Sequence, residues 1–168
     1  PLSLNPKGNQ VMLKMNLRSL LAGALLCAAV TAAFAQKETP LVTQTESQLL
    51  AVLQKADATR KEKSDACRQL AVVGTKTAVP ALVALLPDEQ MNHMARYALE
   101  VIPDPSVDEA LRAALSTLKG LPLVGVIGSV GVRRDAQAVP ALGKLLKAPE
   151  TEVARAAARA LGCIGNSA

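Results

Sequence analysis

Aromatic residues are almost missing from this chain, which holds one Phe, one Tyr and no Trp in 168 residues. Half of the residues are nevertheless hydrophobic, so the core must be built from Ala, Leu and Val. Small and unbranched apolar side chains favour helices that approach closely, whereas strands favour β-branched and aromatic ones. The composition therefore predicts an all-α fold. Histidine is equally scarce, with His93 alone, and no C-x-x-C, H-E-x-x-H or C-x-x-C-H pattern occurs. A metal site takes three or four converging ligands, and these residue types are too sparse to supply them. No glycine-rich phosphate loop is present either: Gly120, Gly125, Gly128 and Gly131 belong to the uncharged stretch 121–132 and its border. No metal, cofactor or catalytic residue is expected, and the chain reads as a non-enzyme.

Acidic residues are absent from the first 35 positions, and this corrects a misleading total. The formal charge is +5, but Lys7, Lys14 and Arg18 lie in that acid-free segment. From Gln36 onward 16 Lys and Arg face 14 Asp and Glu, a balance of +2. A phosphate binder concentrates far more positive charge, and a single-strand binder needs stacking rings. Nucleic acid is excluded as a partner.

The segment from Met15 to Gln36 has the order of an export signal. Lys14 and Arg18 make a basic start, an apolar run follows from Leu20 to Val30, and Ala33-Phe34-Ala35 precede Gln36. Small residues at positions −3 and −1 are what a secretory peptidase reads. The run is shorter than the ~20 apolar residues that span a bilayer. Cleavage after Ala35 is expected, giving an exported chain in the periplasm or outside the cell, with no membrane attachment afterwards. Two alternatives stay open. One is a lipoprotein ending at Cys27, although Leu26 stands where small residues are usual. The other is a retained anchor. Residues 1–14 form an extension before the signal at 15–35, and 36–44 a linker. A repeat array from 45 to 168 completes the division, and it reads as unfinished at its C-terminal end.

The array emerges when the chain is overlaid on itself. Ala66 to Gly74, Ala95 to Pro103, Leu123 to Gly131 and Ala157 to Gly165 superpose at spacings of 29, 28 and 34 residues. Leu70, Leu99, Ile127 and Leu161 become equivalent, as do Val73, Ile102, Val130 and Ile164. A second pattern follows each of the first three copies: 78–86, 107–115 and 138–146. The unit is thus two helices, and 45–55 supplies the first helix of the first unit. Pro80 and Pro140 fall in first turns, where backbone N–H groups have no intrahelical partner to lose. Thr45 with Gln48, and Ser106 with Glu109, are spaced as capping boxes, and Asp135 is placed to cap the helix leading to Leu142. Gly74, Gly131 and Gly165 stand where a left-handed C-terminal cap is expected, while Pro103 ends its helix by lacking an N–H.

Val79-Pro80-Ala81-Leu82, Val139-Pro140-Ala141-Leu142 and 153–162 resemble the HEAT-repeat family, particularly the short bacterial type shared with phycobilin-lyase-like repeats. The resemblance spans residues 46–165. It implies a HEAT/armadillo-like α-α superhelix of about four helix pairs, right-handed, with the second helices lining the concave side. Bilin chemistry itself fits poorly with export and with so few aromatic residues.

His93, Arg96, Tyr97 and Glu100 fall at i, i+3, i+4 and i+7 and share one helix face. With Arg133 and Arg134, read as loop residues flanking it, this stripe is the candidate partner-binding site, suited to an acidic peptide or carboxylate. Gly125 and Gly128, three apart on one face, point to close helix packing or to a shallow groove floor. Cys67 and Cys163 lie three repeats apart, too far for a disulfide when helices pack ~8–10 Å from one another. The expected function is a non-catalytic protein-interaction scaffold with a protein partner. The alternative is an accessory array preceding the active domain of a larger exported enzyme or electron-transfer protein.

Overall fold

The computed structural model describes residues 44–165, which belong to one unit, Leu41–Ala168. The extension, export signal and most of the linker lie outside the described residues. Eight α-helices follow one another and no strand occurs among the described residues. They are α1 (Glu46–Gln54), α2 (Arg60–Val73), α3 (Val79–Val83), α4 (Asn92–Val101), α5 (Pro105–Thr117), α6 (Gly120–Arg133), α7 (Val139–Leu145) and α8 (Thr151–Gly165). Short 3-10 turns at Lys76–Ala78 and Ala136–Ala138 lead into α3 and α7.

The helices pair in sequence order, α1 with α2, α3 with α4, α5 with α6 and α7 with α8. The pairs then stack, so that α2, α4, α6 and α8 form one layer and the first helices another. This is an α-solenoid of four helix pairs, and the expected repeat register is the packing register. Leu70, Leu99 and Ile127 are fully buried at equivalent positions, with Leu82, Leu111 and Leu142 doing the same for the first helices. Each pair presents an apolar stripe too wide to cover alone, and its neighbour covers it.

Local signals position the ends. Thr45 and Gln48 form the expected capping box, Thr45 N–H donating to Gln48 Oε1 at 2.9 Å. A second box at Thr59 and Glu62 was not read from the sequence, although it has the same spacing. Thr59's hydroxyl and N–H hold the Glu62 carboxyl below its usual value. Asp135 accepts the Gln137 N–H at 3.0 Å and caps the turn into α7 as expected. Pro80 and Pro140 sit in first turns.

Two expectations are corrected. The box at Ser106 and Glu109 does not form, because α5 begins earlier, with Pro105 at its first position and Asp104 as cap. Asp104 accepts from Ser106 N and Oγ at 2.9 and 2.6 Å. Proline has its φ preset for a helix start and no N–H to satisfy, so it draws the boundary to itself. The glycine caps also differ. Gly74 is extended, at φ −67° and ψ 138°, and Gly165 remains within α8. Gly131 lies inside α6, where a Cβ would stand 2.9 Å from Ala160 Cα, so the missing side chain serves close packing of α6 on α8. The left-handed cap of α6 is Arg134, at φ 55° and ψ 39°.

A non-glycine residue held left-handed costs about 1–2 kcal/mol, and Arg134 is exposed. Arg134→Gly is therefore expected to stabilise the fold by about 0.5–1 kcal/mol, glycine's larger unfolded-state entropy offsetting part of the gain. Thermal and urea unfolding measure this. An unchanged or lowered midpoint would contradict it.

Candidate functional site

The six residues of the candidate site do not form one surface. Of its four residues on α4, His93 and Tyr97 are exposed, the latter 48%. Arg96 and Glu100 turn toward α6 and are largely covered. Arg96 Nε donates to Asn92 Oδ1 at 2.7 Å, and its Nη1 donates to Ser129 Oγ at 3.2 Å. Ser129, fully buried in α6, donates to Glu100 Oε1 at 2.6 Å. Asn92 completes the set by donating to the Leu86 carbonyl. Among the described residues no buried side-chain polar atom is left without a partner.

This network explains Gly125. A Cβ there would lie 2.6 Å from Arg96 Nε and 2.7 Å from Asn92 Oδ1, so the missing side chain makes room for the guanidinium between two helices. Burial lowers the Arg96 pKa, and the Glu100 carboxylate opposes that shift. Arginine remains charged under such conditions. Asn92 and Ser129 were missed in the sequence; the visible signal was Ser129 as the one polar side chain in 121–132.

Arg133 is also not the loop residue expected. It closes the last turn of α6 and reaches back to the end of α4. Pro103 has no N–H to offer the final carbonyls of α4, which need donors from elsewhere. Arg133 Nη1 donates to the carbonyls of Leu99, Glu100 and Ile102 at 3.2, 3.2 and 2.9 Å. Its Nε and Nη2 hold the Asp108 carboxylate at 2.5 and 3.0 Å. The planar fork thus caps one helix and ties α5 to α6, with the side chain 11% exposed. Beside it, Arg112 pairs with Asp135. Arg134 is exposed at the α6 cap.

The second-helix layer exposes apolar side chains on α2, α4 and α6 beside charged ones on α2 and α8 such as Arg68, Arg155 and Arg159. Val72, Tyr97, Val101, Leu121 and Val132 are large hydrophobic residues between 48% and 71% exposed. A groove of about 220 Å³ lies between α6 and α8, lined by Val124, Gly128, Val132, Ala156, Arg159 and Cys163 among others. Gly128, where an added Cβ meets nothing, belongs to that groove's wall, so the two glycines three apart have different work. The Cys67 thiol is buried and Cys163 is exposed, and burial pushes the Cys67 pKa up to about 11. Among the described residues no three His, Cys, Asp or Glu converge as a metal site, and no helix is long and apolar enough to cross a membrane.

Two-layer stacking of helix pairs in register defines an α-solenoid repeat protein. The Armadillo/beta-catenin-like repeat family model matches residues 134–162, from the α6 cap through α7 into α8, which is one unit of the stack. That match and the stack of four helix pairs fit a HEAT/armadillo-like repeat protein. No curated protein matches it.

Removing the Arg133 side chain takes a donor from three carbonyls, of which Ile102's keeps the Asp104 N–H, and leaves Asp108 without its fork. Arg133→Ala is expected to cost about 2–4 kcal/mol, the range for breaking a largely covered charged network. Arg133→Lys should recover only part of this, because an ammonium cannot reproduce the planar fork. Urea unfolding of the two variants tests the claim, and a loss for Arg133→Ala under 0.5 kcal/mol, the scale of an ordinary surface change, would refute it.

Proposed function

We propose that the chain is a protein-interaction scaffold that holds its partner against the outward face of α2, α4, α6 and α8. Armadillo-like repeats generally bind proteins and are typically non-catalytic. The observation that carries the placement is the set of exposed hydrophobic residues on the second helices, Val72, Tyr97, Val101, Leu121 and Val132. Five of the seven large exposed hydrophobic residues among the described residues lie on these helices, and such groups are what a partner's buried core requires. Packing supports the same side. Successive second helices touch more extensively than successive first helices. Open grooves of about 390, 230 and 440 Å³ separate α1 from α3, α3 from α5 and α5 from α7. A stack drawn tighter on one side curves toward it, which makes the second helices the inner face.

The chemistry of the partner follows from which charges are already committed. Arg96 and Arg133 spend their donors inside the fold, so recognition of a carboxylate through them is set aside. Tyr97 is the expected anchor, with His93 beside it on α4 and an apolar segment of the partner as its counterpart. Tyr97→Ala should weaken binding about tenfold or more, the range of an interface anchor, without moving the thermal midpoint. The measurement is titration against a partner recovered with the wild-type chain, and equal affinity for both proteins would overturn this face.

Export remains part of the proposal, resting on the order of charge, apolar run and Ala33-Phe34-Ala35. Expressed with its leader in a bacterium, the chain should appear outside the cytoplasm with Gln36 as its first residue. N-terminal sequencing that finds the uncut leader, or a lipid on Cys27, would replace this reading.

A further inference from the structure

The three grooves between successive first helices share one plan. Each lies between two pairs of the stack, so both of its walls are present, and the lining residues recur in the repeat register. Leu53, Leu86 and Leu115 are equivalent and buried on the first wall. Ala81, Ala110 and Ala141 repeat on the second. The grooves between α1 and α3 and between α3 and α5 have no charged residue in their lining.

The groove between α5 and α7 departs from that plan at two positions. It has Arg112 where the others have Leu50 and Val83, and Lys144 where they have Ala84 and Ala113. Its apolar lining is kept, with Leu115, Pro140, Ala141 and Leu145. The volume is about 440 Å³, in the range of small-molecule sites, which are mostly apolar with a few placed polar groups. Unlike Arg96 and Arg133, these two cations keep donors for a ligand. Arg112 Nη1 donates to Asp135 Oδ2 at 2.5 Å, and the side chain stays 22% exposed. A guanidinium carries five N–H donors, so most remain for a second acceptor. Lys144 is exposed and has no ion-pair or hydrogen-bond partner among the described residues. Asp135 offsets one of the two positive charges, which leaves one in excess. Two like charges on one groove repel, and a bound anion relieves that repulsion.

We propose that the groove between α5 and α7 is a binding site for an aliphatic monocarboxylate. The chain lies on Leu115, Ala141 and Leu145, and the carboxylate sits between Lys144 and Arg112. A single excess positive charge matches a monoanion better than a phosphate dianion. The planar fork of Arg112 suits the two oxygens of a carboxylate. This site belongs to the first-helix layer, away from the second-helix face, so it and partner binding stand or fall independently.

Titration of the full chain with decanoate, below its micellar concentration, is the test, read by calorimetry and by amide NMR shifts. Saturable binding at one site is expected, with the largest shifts at 112–116 and 140–145 and none in α1. Acetate, which lacks the chain, and decanol, which lacks the charge, should each bind at least about tenfold more weakly, equivalent to ~1.4 kcal/mol. Lys144→Ala restores the alanine of the other two grooves and should weaken decanoate by a similar factor while leaving decanol unchanged. Lys144 is exposed, so the thermal midpoint of this variant should match wild type. No saturable binding of decanoate would overturn the proposal. So would acetate or decanol binding as tightly as decanoate, an affinity that Lys144→Ala leaves unchanged, or shifts centred on another groove.

Discussion

No helix pair in this protein can cover its own apolar stripe, and that constraint organises everything else. The core is Ala, Leu and Val, with no ring to fill a gap, so burial depends on helices lying close and in register. Leu70, Leu99 and Ile127 reach complete burial because a neighbouring pair lies over each of them. The small residues follow from the same demand. Gly131 admits the backbone of α8, and Ala95, Ala98 and Ala160 let the second helices approach closely.

The junction between the second and third pairs adds a polar device to this apolar scheme. Arg96 and Glu100 enter the interface, and only a helix with Gly125 and Ser129 at the right turn can receive them. Such a network contributes less to net stability than to the order of stacking, since the same arginine against an all-apolar helix would be buried unpaired. Arg133 makes a second tie across the same boundary. Proline at 103 ends α4 but strands its carbonyls, and the guanidinium of the following unit supplies the missing donors. The stop signal of one repeat is thereby completed by the next.

These commitments change what the surface can recognise. A helical stripe rich in His, Arg, Tyr and Glu reads as a charged patch when only spacing is considered. Once two of its charges are turned inward, the outward remainder is His93 and Tyr97 among exposed aliphatic residues. The outward side of that stripe is thus more apolar than its spacing alone suggests. The open grooves between first helices belong to the more widely spaced layer, where contacts between successive units are sparser.

Helix count, pairing, register and the core were legible in the sequence, because a repeated apolar pattern is a local property that each copy states again. Leu99 is buried for the same reason as Leu70, and the overlay of 66–74 on 95–103 is enough to show it. The helix starts were legible where one residue's chemistry decides them, as at Thr45 and Asp135, and misread where proline competes, as at Ser106. What only the tertiary structure decided is where each polar side chain of the candidate site points. Helical spacing puts Arg96 and Tyr97 one position apart on a single helix, but which of them faces water depends on Ser129 and Gly125, some 30 residues away in the chain. Arg133 was in the same position: most of its partners are carbonyls, and carbonyls carry no mark in a sequence.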